Sequence, residues 1–136
     1  MTVPRILVAD DNDDNLELMR YLLTAAGYAS VLAGGGAEAI RRAVDERPEL
    51  ILLDVQMPVV DGYVAAMAIR REPSFRGVNI VAVTASAMVG DRDQILAAGF
   101  DGYIPKPIAP TTFITQIERF LPAGRRARDP RRWAGP

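Results

Sequence analysis

Three carboxylates and one lysine are the residues of this chain whose types and spacing can do chemistry together. Lys106 is the single lysine among 16 basic residues, set in Ile104-Pro105-Lys106-Pro107. An ammonium is a compact point charge that meets one oxygen in a narrow site, where arginine presents a broad planar fork. Asp10 and Asp11 follow the apolar run Ile6-Leu7-Val8-Ala9, and Asp54 follows Ile51-Leu52-Leu53. A carboxylate at the end of a buried run is costly unless it is paired or metal-bound, so Asp54 reads as functional. If these groups meet, they suit phosphoryl transfer onto a carboxylate.

Whether they meet depends on the elements that carry them. Five strand-like apolar runs alternate with five helix-like segments. The strands are expected at Arg5–Ala9, Tyr28–Ala33, Leu50–Val55, Val78–Val83 and Phe100–Ile104. The helices are expected at Asp13–Ala26, Ala37–Glu46, Gly62 to about Arg71, Ala87–Ala98 and Pro110–Leu121. Helical spacing of Leu16, Met19 and Leu23 ends at Gly27, a residue suited to the turn after a helix. This alternation predicts an α/β fold, a (βα)5 flavodoxin-like three-layer sandwich. The expected parallel strand order is 2-1-3-4-5, with a switch point between strands 1 and 3. Pro105 fits an edge strand, which tolerates a missing N–H.

In that order strands 1 and 3 are neighbours, and Asp10, Asp11 and Asp54 meet at the mouth of the crevice. Clustered carboxylates repel unless a cation offsets them. Hard oxygen donors without His or Cys favour Mg²⁺ over zinc. The expected ligands are Asp11 and Asp54 with the main-chain carbonyl of Gln56, Asp10 acting through a bound water. Thr84 ends the fourth strand and offers a hydroxyl, and Ala85 leaves room for an incoming group. In line with this, Asp54 attacks while Mg²⁺ and Lys106 neutralise the phosphoryl oxygens. Asn12, Asp13 and Asp14 read instead as helix-start residues. Tyr103, taken alone, reads as a half-buried packing residue.

Composition removes several function classes. With no cysteine and no histidine, the chain has no disulfide, no thiolate, no Cys/His zinc site and no histidine base. A phosphohistidine, if one is involved, must come from another protein. No apolar run approaches membrane-spanning length, and a cytoplasmic location is the default expectation. Residues 1–124 carry 11 basic and 16 acidic side chains, a net −5; residues 125–136 carry five arginines and Asp129, a net +4. We therefore expect a domain over residues 1–122 and a basic, disordered tail over 123–136.

The stretches ILVADDN, ILLDVQMPVVDG, VAVTASAM and GFDGYIPKPI resemble the CheY-like receiver domains of two-component response regulators. Their wording is nearest to single-domain DivK-type regulators and to receivers of hybrid kinases. The resemblance implies that Asp54 accepts a phosphoryl group from a sensor histidine kinase or histidine phosphotransfer protein. It implies that Thr84 and Tyr103 act as switch residues, and that the Lys106-Pro107 bond is cis. A downstream protein would then bind the face of helix 4, strand 5 and helix 5. The only catalysis implied is self-phosphorylation and autodephosphorylation; no DNA-binding domain and no membrane segment is expected.

Other readings share parts of this pattern. The chain could be a receiver excised from a multidomain regulator. An aspartate-nucleophile phosphatase of the haloacid dehalogenase type also combines Asp, Thr, Lys and Mg²⁺, but places its nucleophile on strand 1 in an Asp-x-Asp pattern. A flavodoxin-like cofactor carrier needs a phosphate cradle where this chain has Asp10-Asp11-Asn12-Asp13-Asp14. The arginine tail, with Trp133, offers an arm for an acidic partner.

Overall fold

Five parallel strands form one sheet in the order β2-β1-β3-β4-β5. They are β1 (Arg5–Ala9), β2 (Ala29–Ala33), β3 (Leu50–Asp54), β4 (Asn79–Thr84) and β5 (Gly102–Pro105), in a computed structural model that describes residues 3–85 and 89–126. The helices are α1 (Asp13–Ala25), α2 (Gly36–Glu46), α3 (Gly62–Arg70), α4 (Val89–Ala97) and α5 (Phe113–Glu118). Short 3₁₀ turns lie at Pro73–Phe75 and Ala123–Arg125.

Strand residues alternate between two cores, as a period of two requires. Leu7, Ala9, Ile51, Leu53, Ile80 and Ala82 face α2, α3 and α4. Ile6, Val8, Leu50, Leu52, Val81 and Val83 face α1 and α5. All five residues of β3 are buried, which explains its apolar, non-alternating sequence. Gly27 and Gly99 take φ of 95° and 102° just beyond α1 and α4, the left-handed positions that favour glycine.

Two elements differ from the sequence expectation by more than one residue within the described residues. Helical spacing predicted a fifth helix from Pro110; instead 110–112 form a turn, and α5 begins at Phe113. The Ala109 carbonyl accepts from the N–H of both Thr112 and Phe113, so the chain tightens before it enters the helix. The fifth strand starts two residues later than expected and includes Pro105, which sits opposite Thr84 on the sheet edge. The expected start of the fourth helix at Ala87 lies outside the described residues. No helix among those described is long and apolar enough to cross a membrane.

Candidate functional site

The switch point at the C-terminal ends of β1 and β3 collects the acids. β1 and β3 pair from Ile6 with Leu50 to Ala9 with Leu53, so Asp10 and Asp54 emerge side by side. Carboxylate oxygens of Asp10, Asp11 and Asp54 lie within 4.8 Å of one another. Asp10 and Asp54 are buried and Asp11 is exposed.

Lys106 reaches this cluster from the end of β5. Its Nζ lies 3.0 Å from Asp10 Oδ2 and 3.1 Å from Asp54 Oδ2. The Lys106 N–H donates to the Thr84 carbonyl at 2.8 Å, and the Lys106-Pro107 peptide is cis. Lys106 is thus tied through its backbone to β4 and through its side chain to the acids on β1 and β3.

Local hydrogen bonds orient each acid. Asp10 Oδ1 accepts from the Asn12 N–H at 2.9 Å, and Oδ2 accepts from the Asn15 side-chain amide at 3.3 Å. Asp54 Oδ1 accepts from the Gln56 N–H at 3.0 Å. Asn12 caps α1 by accepting from the Asn15 N–H, and Asp13 and Asp14 fill the first helical turn, as their types predicted. Asn15, which fixes Asp10, carried no signal in the sequence beyond its place in a helix.

Electrostatics separate the two central groups. Burial pushes the Asp54 carboxyl up; the Gln56 N–H pulls it back, Asp10 adds repulsion and Lys106 offsets part of it, leaving the value raised. Burial also disfavours the Lys106 ammonium, but hydrogen bonds and charge from Asp10 and Asp54 outweigh that and hold it above its ordinary value. The ammonium is therefore a fixed positive charge at neutral pH, beside an acid that burial makes reluctant to ionise alone.

The remaining predicted residues lie on β4, on β5 and in the connections after β3 and β4. Thr84 is buried at the end of β4 beside β3, and Ala85 is exposed. Gln56 is exposed in the loop after β3. Tyr103 is half-buried on β5, with the Arg92 guanidinium 5.4 Å from its ring centroid. Gly62 opens α3, and its N–H donates to the Val55 carbonyl at 3.1 Å. A Cβ there would sit 2.3 Å from the Asp54 carbonyl oxygen, so only glycine lets α3 start this close to Asp54. Asp61 caps the helix by accepting from the Val64 N–H at 2.9 Å.

Such a fold and site define a doubly wound α/β protein with a lysine-bridged, all-oxygen acid cluster at its switch point. More particularly, the chain belongs to the response regulator receiver domain family, whose pattern it matches over residues 6–118, and it is a receiver of two-component signalling. The polar-differentiation response regulator DivK of Brucella anthropi is 37% identical over 116 residues, covering 85% of this chain and 94% of that protein. The receiver domain of sensor histidine kinase PA1611 from Pseudomonas aeruginosa PAO1 is 35% identical with a TM-score of 0.80, over 88% of this chain and 98% of that one; it was solved with a magnesium ion in its active-site cleft. The receiver domain of Ssk1 from Saccharomyces cerevisiae, solved with the histidine phosphotransfer protein Ypd1, has a TM-score of 0.80 at 28% identity, over 88% of this chain and 89% of that chain.

Proposed function

We propose that Asp54 is the phosphoacceptor of this receiver, loaded from a phosphohistidine carried by a sensor kinase or phosphotransfer protein. The observation that carries the reading is the Lys106 ammonium held 3.0 and 3.1 Å from Asp10 and Asp54, with Asp11 in the same cluster. Three carboxylates against one ammonium leave a deficit that a divalent cation matches. Asp11 and Asp54 would hold Mg²⁺ with the Gln56 carbonyl. Asp10, already accepting from Asn12, Asn15 and Lys106, would act through a water. Bound there, the metal supplies positive charge for the transferring phosphoryl oxygens.

The chain's own groups do the rest. An Asp54 carboxylate oxygen attacks phosphorus in line; the bond from phosphorus to the donor histidine nitrogen breaks as the new oxygen–phosphorus bond forms. Lys106 stays protonated and neutralises an equatorial oxygen. Thr84 offers its hydroxyl from β4. Tyr103, on the face formed by α4, β5 and α5, then turns inward and changes what a downstream protein can bind. The chain acts as a cytoplasmic switch and turns over no external substrate.

Intact mass after incubation with acetyl phosphate and Mg²⁺ tests this. Wild type should gain one phosphoryl group, and none when the metal is chelated beforehand; Asp54→Asn should gain none. An equal gain in both proteins would place the acceptor elsewhere and sink the proposal.

A further inference from the structure

Two non-glycine residues among those described have positive φ: Arg47 at 51° and Val59 at 68°. Arg47 has a local reason, since it ends α2 and its N–H bonds the Ala43 carbonyl. Val59 ends no helix. It is the centre of a three-residue turn in which the Val60 N–H donates to the Pro58 carbonyl at 2.8 Å. A β-branched residue at positive φ is an outlier, and this turn form is rare and strained. Packing does not offset the strain, because Val59 is fully exposed, at 104%.

The strain is imposed from both sides. A Cβ on Gly36 would lie 2.2 Å from the Val60 carbonyl oxygen, so Val60 is pressed against the start of α2. On the other side Gly62 is bonded to Val55. The loop leaves β3 directly after Asp54, at the strand ends that carry the acid cluster, is pinned at both ends and exposes Val59 between them. Val64 and Met67, three residues apart on the helix that follows, are also exposed and share one side of it.

We infer that Val59 is a docking anchor for the protein that delivers the phosphoryl group, seated in an apolar pocket of that donor, with Val64 and Met67 extending the contact. The inference rests on the phosphoacceptor reading. The chain has no histidine, so the donor histidine arrives on another protein, and a protein that brings it to Asp54 must cover these strand ends. Strain at an exposed apolar residue beside a reactive group points to use at that site.

Acetyl phosphate and a protein donor separate docking from chemistry, because the small donor makes no contact beyond the acid cluster. Asn tolerates positive φ better than a β-branched residue, so Val59→Asn removes the anchor without threatening the fold, and Val59→Leu keeps an apolar anchor. The protein probe is the phosphorylated kinase or phosphotransfer protein from the source genome that loads wild type fastest. For Val59→Asn we expect kcat/KM from that donor to fall at least about tenfold, chiefly through KM. Its acetyl phosphate rate should stay within about twofold, and Val59→Leu should recover most of the loss. An equal loss with both donors would overturn the inference by assigning Val59 to the chemistry. Unchanged rates with both would overturn it by showing no contact. Failure of wild type with both donors would overturn the phosphoacceptor reading itself, and this inference with it.

Discussion

Asp54 is held between burial, which disfavours its charge, and partners that favour it. Burial and Asp10 raise its carboxyl above the ordinary value of 3.8, against the pull of Gln56 and Lys106. The folded protein therefore keeps a proton over a pH range where the unfolded chain has lost it. Stability tied to the neutral form is complete below about pH 4 and is lost as pH rises through the raised folded value. In chelator, Asp54→Asn should unfold at higher urea than wild type at neutral pH, the gap closing toward pH 4. Lys106 keeps Asp10 as a partner in that variant. A variant no more stable than wild type at pH 7 would mean that Lys106 already compensates the buried charge. The acids and the lysine were legible in sequence because a carboxylate after a buried run needs a reason. Val59 was not, since valine is a common residue and its positive φ arises from Gly36 and Gly62 pinning the loop.

At the scale of elements, strand order and switch point were legible because central strands are apolar throughout and glycine or proline punctuates most connections. The start of α5 was not: Phe113 and Ile117 keep helical spacing whether or not Pro110 joins them, and the double acceptance at Ala109 decides it. Equally hidden was Arg70, whose guanidinium bonds the carbonyls of Phe75, Val78 and Gly99 and the Asp101 carboxylate; a basic residue at a helix end reads as a solvated charge. The junction of β3 with α3 makes the sharpest prediction. A methyl at Gly62 would meet backbone, at 2.3 Å from the Asp54 carbonyl oxygen and 2.7 Å from the Val55 Cα, and backbone has little room to yield. Gly62→Ala should cost about 2–3 kcal/mol in urea unfolding and slow phosphorylation by displacing the Asp54 segment. A loss of stability with an unchanged phosphorylation rate would show that α3 moves and Asp54 does not.

Across the whole molecule, the two ends of the sheet hold different charged groups. The acid cluster occupies the C-terminal strand ends, while the C-terminal segment returns to the opposite end, about 17 Å away along five-residue strands. There Arg125 Nε and Nη2 donate to Glu49 Oε1 and Oε2 at 2.7 and 3.0 Å, just before β3, and Arg126 donates to the Glu118 carbonyl at 2.9 Å. The first residues of the basic segment are thus tied to the domain, whereas composition suggested a disordered tail from residue 123; residues 127–136, with Trp133, lie outside the described residues. Bidentate pairing gives this contact better geometry than most surface ion pairs, although both partners keep about a third of their side-chain exposure. A double-mutant cycle of Arg125→Met and Glu49→Gln should therefore give a small favourable coupling in urea unfolding, falling as salt is raised. A coupling near zero at low salt would mean that the pair adds nothing to the fold.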